Sequence, residues 1–271
     1  LEAIALGGLQ GVAEFLPISS SGHLVIARAA FSEATGREID PEANRLLVVV
    51  LHLGTLGSIF WAYRRDLIGV VTDFRYLLAM GLATLPLVFI ALTPLKDRLD
   101  DSFNRPDIAG ACLLGTAGLL LAGQALANRR LRQEQNPAEA DAKGSVTLPA
   151  ATTIGIFQTL ALLPGVSRSG STIAGALISG VDRSEAVRFS LMIGTVAIAG
   201  AGLLEAKSVY ESGVGLAEVP FGPLAVGAAT AFFVGIGAIS LLRKAVSNDR
   251  LHWFAGYCAL VGVATLIWQW S

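Results

Sequence analysis

Charge along the chain falls into short clusters separated by long apolar stretches. Six stretches hold no Asp, Glu, Lys or Arg: residues 46–63, 76–95, 108–128, 189–204, 219–242 and 251–271. Each is close to the roughly 20 residues of helix that cross a hydrocarbon core, so each predicts a transmembrane span. Two further apolar regions are interrupted, residues 3–27 by Glu14 and His23 and residues 144–181 by Arg168, and both carry Pro, Gly and Ser at the break. Non-helical backbone persists at membrane depth only where protein or a water-filled cavity satisfies its polar groups. The breaks therefore predict re-entrant half-helices lining a site, with Pro-kinked spans as the plainer alternative.

Composition supports a membrane protein. Of 271 residues only 15% are charged, against about 25% in soluble domains, and mean hydropathy is +0.61. With 20 Lys and Arg against 21 Asp and Glu, no basic surface is available to neutralise a phosphate backbone, which excludes nucleic acid as a partner. If both broken regions enter and leave on one side, Arg64, Arg75, Arg130, Arg183 and Arg243 fall on the Lys/Arg-rich side, predicted cytoplasmic, while Arg37, Arg45, Lys96 and Arg98 fall on the other. Cys112 and Cys258 each lie in an apolar run and read as packing residues.

The two interrupted regions are related. Residues 10–22 (QGVAEFLPISSSG) align without gaps on residues 158–170 (QTLALLPGVSRSG), and Leu51 to Thr55 recurs as Leu191 to Thr195. Each half thus reads as a broken motif followed by three spans, and an odd number of spans makes the halves insert in opposite directions. The fold class expected is all-α. It is a polytopic membrane helix bundle forming one integral membrane domain over 1–271, with an inverted repeat of residues 1–128 and 148–271 about a cytoplasmic linker at 129–147. Ser20 and Arg168 occupy matching positions and are expected to face each other near mid-bilayer.

Ionisable groups at membrane depth mark functional sites. Gln10 and Glu14, four apart, share a helical face, and Ser20 and His23, three apart, follow Pro17 where a new helix begins. The turns Ser19-Ser20-Ser21-Gly22 and Ser167-Arg168-Ser169-Gly170 sit at helix starts, where N–H groups and the helix dipole favour an anion. Ser19, Ser21, Ser167, Ser169 and Gly170 are therefore candidate phosphate contacts. Helix capping is the bland reading of these serines. Arg168 supplies a guanidinium fork matched to phosphate oxygens, unless it only pairs with Glu14. Ser20 beside His23 suggests a nucleophile and its base, with direct attack by His23 as a second option. Glu14 could hold the imidazole, carry a proton or ligate a divalent cation. His52 and Gln124 read as packing or pore-lining residues, and Gln158, aligned with Gln10, as a candidate support of the site.

Residues Gln10 to His23 (QGVAEFLPISSSGH) and Pro164 to Thr172 (PGVSRSGST) resemble the two signature motifs of the undecaprenyl-diphosphate phosphatases, also called bacitracin-resistance proteins. The resemblance spans essentially the whole chain. It implies a multi-pass enzyme of the bacterial plasma membrane whose site opens to the outer face and which acts on a polyprenyl diphosphate lipid. Removing the terminal phosphate would recycle the carrier for peptidoglycan synthesis. It also implies a divalent cation, Mg2+ or Ca2+, and leaves a homodimer open. By position the family's nucleophilic serine falls on Ser20, its histidine on His23, its second acidic residue on Glu14 and its phosphate-clamping arginine on Arg168. Gln10 stands at the first acidic position, so one carboxylate is missing and Glu14 carries more of the cation binding, with Gln10 as the other candidate ligand. A C55 tail, at about 0.8 kcal/mol per buried CH2, cannot leave the bilayer, so the enzyme must meet the lipid there. The competing class is an inverted-repeat secondary transporter or lipid flippase.

Overall fold

The computed structural model describes residues 2–36, 41–95, 99, 101–133, 145–211 and 221–270, and among these the regular structure is all helical, with no strand. In chain order the helices are α1 (Glu2–Ala13), α2 (Ser20–Thr35), α3 (Pro41–Tyr63), α4 (Leu67–Thr72), α5 (Phe74–Ala91), α6 (Pro106–Gln133), α7 (Leu148–Leu160), α8 (Arg168–Ile178), α9 (Arg183–Glu211), α10 (Phe221–Ser247) and α11 (Leu251–Trp270). A 3-10 turn, Ser102–Asn104, precedes α6.

Five described helices, α5, α6, α9, α10 and α11, are long and apolar enough to cross a membrane. The sixth expected span, 46–63, lies within α3, whose apolar described stretch is the shorter Val49–Tyr63. Part of the expected linker is helical, since α6 runs on to Gln133; residues 134–144 lie outside the described residues, as do Arg37, Lys96 and Arg98 and the side chain of Arg45.

Local chemistry sets the helix starts. Asp73 opens α5 by accepting from the N–H groups of Arg75 at 2.9 Å and Tyr76 at 3.2 Å, and Thr147 opens α7 by accepting from Ala150 at 3.3 Å. Lipid is as apolar as leucine, so helices in it associate by close packing over small residues. Gly7 and Gly11 of α1 pack on the backbone of Gly227 and Ala231 in α10, and Gly155 of α7 packs on Ala83 of α5. Gly110 of α6 and Gly262 of α11 pack on each other's carbonyls. Phe15, Ile59, Leu113, Ile154, Ile173, Phe189 and Ile239 form the buried core, while Phe89, Leu92, Phe233, Leu260 and Trp270 stand exposed, as suits a lipid-facing surface. Both cysteines are free, Cys258 buried and Cys112 half-buried.

A polar cluster ties one end of the bundle. Arg183 at the start of α9 bonds Asn128 of α6 and, at 2.7 Å, Asp249 in the α10–α11 turn. Arg130 donates to the Ile178 carbonyl at 2.7 Å, closing the end of α8. Gln124 donates to the Asp249 carbonyl at 3.0 Å and so belongs to this end of the molecule.

Candidate active site

Both interrupted regions are two helices joined by a turn. Pro17 has no N–H to continue α1, and Ser19 next adopts the left-handed φ of 67°. Its Oγ accepts from the Gly22 N–H at 3.2 Å, starting α2 at Ser20. In the second region the turn passes through Gly165 at φ 96°, and Ser167 caps α8 through the Gly170 N–H at 3.1 Å. Thr116 of α6 fastens this turn, donating to the Gly165 carbonyl at 2.8 Å and accepting from the Ser167 N–H at 3.0 Å. Gly175 of α8 lies against the Phe157 ring of α7, so these two helices fold back on each other.

The two turns touch. A Cβ at Gly22 would lie 2.7 Å from Gly165 Cα, and one at Gly170 would lie 3.2 Å from Pro17 Cβ. Ser169 Oγ donates to the Leu16 carbonyl at 3.4 Å.

Where they meet, one carboxylate gathers the polar groups. Glu14 Oε1 accepts from Arg168 Nη2 at 2.6 Å, and Oε2 accepts from Gln10 Nε2 at 3.1 Å and Ser20 Oγ at 3.4 Å. His52 Nε2 stands 3.8 Å from Oε2. The Arg168 and Glu14 side chains are 15% and 8% exposed, so the pair is largely desolvated and its strength depends on both members. Arg168 Nη1 is buried and makes no hydrogen bond within the protein. Its guanidinium lies against Gly194 of α9, where any side chain would strike it. Beside Gln10 and Ser20 opens a small pocket whose other walls include Leu6, Leu9, Leu24, Leu47 and Leu51.

The structure thus brings together Gln10, Glu14, Ser20 and Arg168, and the ion pair weighed as the alternative for Arg168 is present. It does not bond Ser20 to His23. Ser20 donates to Glu14, whereas His23 Nδ1 lies 2.8 Å from the Ser19 carbonyl and Nε2 lies 2.8 Å from the Tyr257 hydroxyl. Ser19 and Ser167 act as caps; Ser21 and Ser169 lie 3.3 Å from Ser19 and Ser167 respectively. Gln158 is absent from the cluster: it is fully buried between α7 and α5 and donates to the Ala83 carbonyl at 3.1 Å. The partner of Gln10 is Glu14, and the aligned position in the second half is Leu162, so Gln158 has no carboxylate to meet.

Three neighbours of the site, Thr116, Gly194 and Tyr257, were not singled out in the sequence, and His52, read there as a packing or pore-lining residue, stands beside Glu14. Only Gly194 and His52 carried a signal, as members of the repeated pentapeptides.

Among the described residues Glu14 is the one carboxylate in this cluster, and no group of three or more His, Cys, Asp or Glu side chains forms a metal cage. One carboxylate with the neighbouring Gln10 amide oxygen fits Mg2+ or Ca2+ only where further oxygens from outside the protein complete the shell.

A bundle of apolar helices, five of them long enough to cross a hydrocarbon core, around a buried carboxylate and guanidinium defines a multi-pass membrane protein with a polar cluster inside it. Residues 3–264 match the family described as bacitracin resistance protein BacA, and the chain belongs to that family. It is 38% identical over 270 residues to the undecaprenyl-diphosphatase of Rhodopirellula baltica, covering 98% of this chain and 97% of that one. It is 36% identical over 293 residues to the protein so named in Desulfatibacillum aliphaticivorans, covering 98% of each. The undecaprenyl-diphosphatase of Protochlamydia amoebophila is 33% identical over 275 residues, with 98% and 97% covered.

Proposed function

We propose that this protein is an undecaprenyl-diphosphate phosphatase, hydrolysing the terminal phosphate of undecaprenyl diphosphate to give undecaprenyl phosphate and inorganic phosphate. The product returns as carrier to peptidoglycan synthesis, and its recycling confers bacitracin resistance. The observation that carries the reading is that Ser20 and Arg168, 148 residues apart, reach one buried carboxylate, two of whose partners, Gln10 and Ser20, line a leucine-walled pocket. The relatives named above are diphosphatases, and none of them favours a transporter or flippase.

In this reading the isoprenoid lies along the leucines and the diphosphate meets Arg168, whose free Nη1 donates to it. Ser20 Oγ attacks the terminal phosphorus in line. The bond from phosphorus to the bridging oxygen breaks, its electron pair leaves with undecaprenyl phosphate, and water then hydrolyses the phosphoserine. Glu14 takes the Ser20 proton, because the hydrogen bond runs there, and His23 serves the second half of the reaction, its Nε2 accepting a proton from the water that hydrolyses the phosphoserine. Arg168 neutralises charge building on the phosphoryl oxygens, the main demand of phosphoryl transfer. A divalent cation, held by Glu14 with Gln10 and the phosphates, would supply further charge neutralisation.

The inverted repeat is part of the proposal. An offset of 148 exchanges Gly22 with Gly170 and Pro17 with Gly165, so the two turn contacts are images of each other, as are the two serine caps. The packing of α1 on α10 is matched by that of α7 on α5. Arg130, Arg183 and the Arg243 that lies over the Tyr63 ring gather at helix ends assigned to the cytoplasm, which supports a site opening to the outer face of the bacterial plasma membrane. The test is release of inorganic phosphate from undecaprenyl diphosphate by purified protein in detergent with Mg2+ or Ca2+. A parent protein that releases none would overturn the reading.

A further inference from the structure

His23 is held at both ring nitrogens, and neither partner belongs to the Glu14 cluster. Nδ1 lies 2.8 Å from the carbonyl oxygen of Ser19, the residue that caps its own helix. Nε2 lies 2.8 Å from the hydroxyl of Tyr257 on α11, 234 positions along the chain, with the two rings 4° from coplanar. A carbonyl can only accept, so Nδ1 carries a hydrogen. In the neutral ring Nε2 is then the bare nitrogen, and the Tyr257 hydroxyl donates to it. If the ring is cationic both nitrogens donate and the Tyr257 oxygen accepts. The hydroxyl serves either state because it can rotate, which a carbonyl cannot match.

We infer that Tyr257 is a positioning residue of the reaction: together with the Ser19 carbonyl it locks His23 in the Nδ1–H tautomer and fixes the direction of Nε2. The neighbouring Cys258 Sγ lies 3.5 Å from the Pro17 carbonyl, so α11 meets the first turn at two successive residues and the tyrosine is itself anchored. Ser19 is the pivot of the arrangement. Its left-handed φ of 67° sets the direction of the carbonyl that receives Nδ1, as well as that of the hydroxyl that caps α2. The role of His23 in turnover rests on the diphosphatase reading; the tautomer does not.

The test uses the full chain in detergent with 15N-labelled histidine. The protein has three histidines, and the His23 signals are assigned by their loss in His23→Gln. The wild type is expected to show a protonated Nδ1 and a hydrogen-bonded Nε2. In Tyr257→Phe the Nε2 signal alone moves toward its unbonded position, while the His52 and His252 signals stay. Loss of one hydrogen bond is expected to lower kcat about tenfold with KM little changed. That loss should vanish in a His23→Gln background, since residues acting as a unit are not additive. An unchanged Nε2 signal, a wild-type ring protonated at Nε2 instead, or wild-type kcat in Tyr257→Phe each overturns the inference. A parent without turnover would instead sink the diphosphatase reading and leave the nitrogen signals to decide this one.

Discussion

The two serine turns share a sequence pattern and live in opposite surroundings. In α8 every residue from Ser169 to Leu177 is buried, enclosed by α6, α7 and α9. In α2 only Gly22 and Val25 are buried, and Ser20 and His23 sit at intermediate depth. The caps differ too: Ser167 has an ordinary extended backbone at φ −74°, whereas Ser19 is left-handed. The enclosed turn holds one guanidinium against Glu14 and Gly194, and the more open turn leaves a hydroxyl and an imidazole half-buried. Two turns of one sequence pattern thus contribute different groups to one polar cluster.

Arg168→Ala should break this division most severely. Turnover is expected to fall about 10³-fold or more, as for loss of an arginine that stabilises a phosphoryl transition state. The unpaired Glu14 should also lower stability by about 3–5 kcal/mol, read by thermal unfolding in detergent. Ser20→Ala removes the more open turn's hydroxyl and should lower kcat by about 10²–10⁴-fold while barely changing the unfolding midpoint, since its bond at 3.4 Å is long. Equal turnover in this variant and the parent would remove Ser20 from the reaction. Gly194→Ala alters neither motif, yet its methyl group would push Arg168 aside; a loss of about 10² in kcat with little change in unfolding is expected, the cost of an ångström-scale misplacement.

Smaller effects probe the caps. Ser167→Ala should cost about 1 kcal/mol. Ser19→Gly forfeits a similar cap but relieves a left-handed backbone that costs a non-glycine residue about 1–3 kcal/mol. Its unfolding midpoint should therefore fall less than that of Ser167→Gly, where no strain is released. Equal losses at the two caps would mean that Ser19 is not strained.

Much of this molecule could be read before its structure. Of the six spans expected, five return as helices long and apolar enough to cross, because a hydrocarbon environment forbids charge over about 20 residues, a constraint local in sequence. Gln10, Glu14, Ser20 and Arg168 stood out for the complementary reason: polar groups in apolar runs need partners. Which partner each would take was not legible. Ser20 and His23 are neighbours along the helix, yet the turn of Ser19 sends one toward Glu14 and the other toward Tyr257. Gln158 matches Gln10 in the alignment but bonds Ala83, because Leu162 stands in its motif where Glu14 stands in the first.

The sequence by itself determined that the chain crosses a membrane, that its two interrupted motifs match, and which ionisable groups stand in apolar runs. The penalty for burying charge is written residue by residue, so those facts need no knowledge of the fold. Tertiary structure alone decided the pairings: the guanidinium on Glu14, the imidazole on Tyr257, Thr116 fastening the second turn and Gly194 leaving room for Arg168. Each depends on directions set within a few ångströms by helices far apart in the chain, and hydrogen bonds are too short-ranged and too directional to be foretold from residue type.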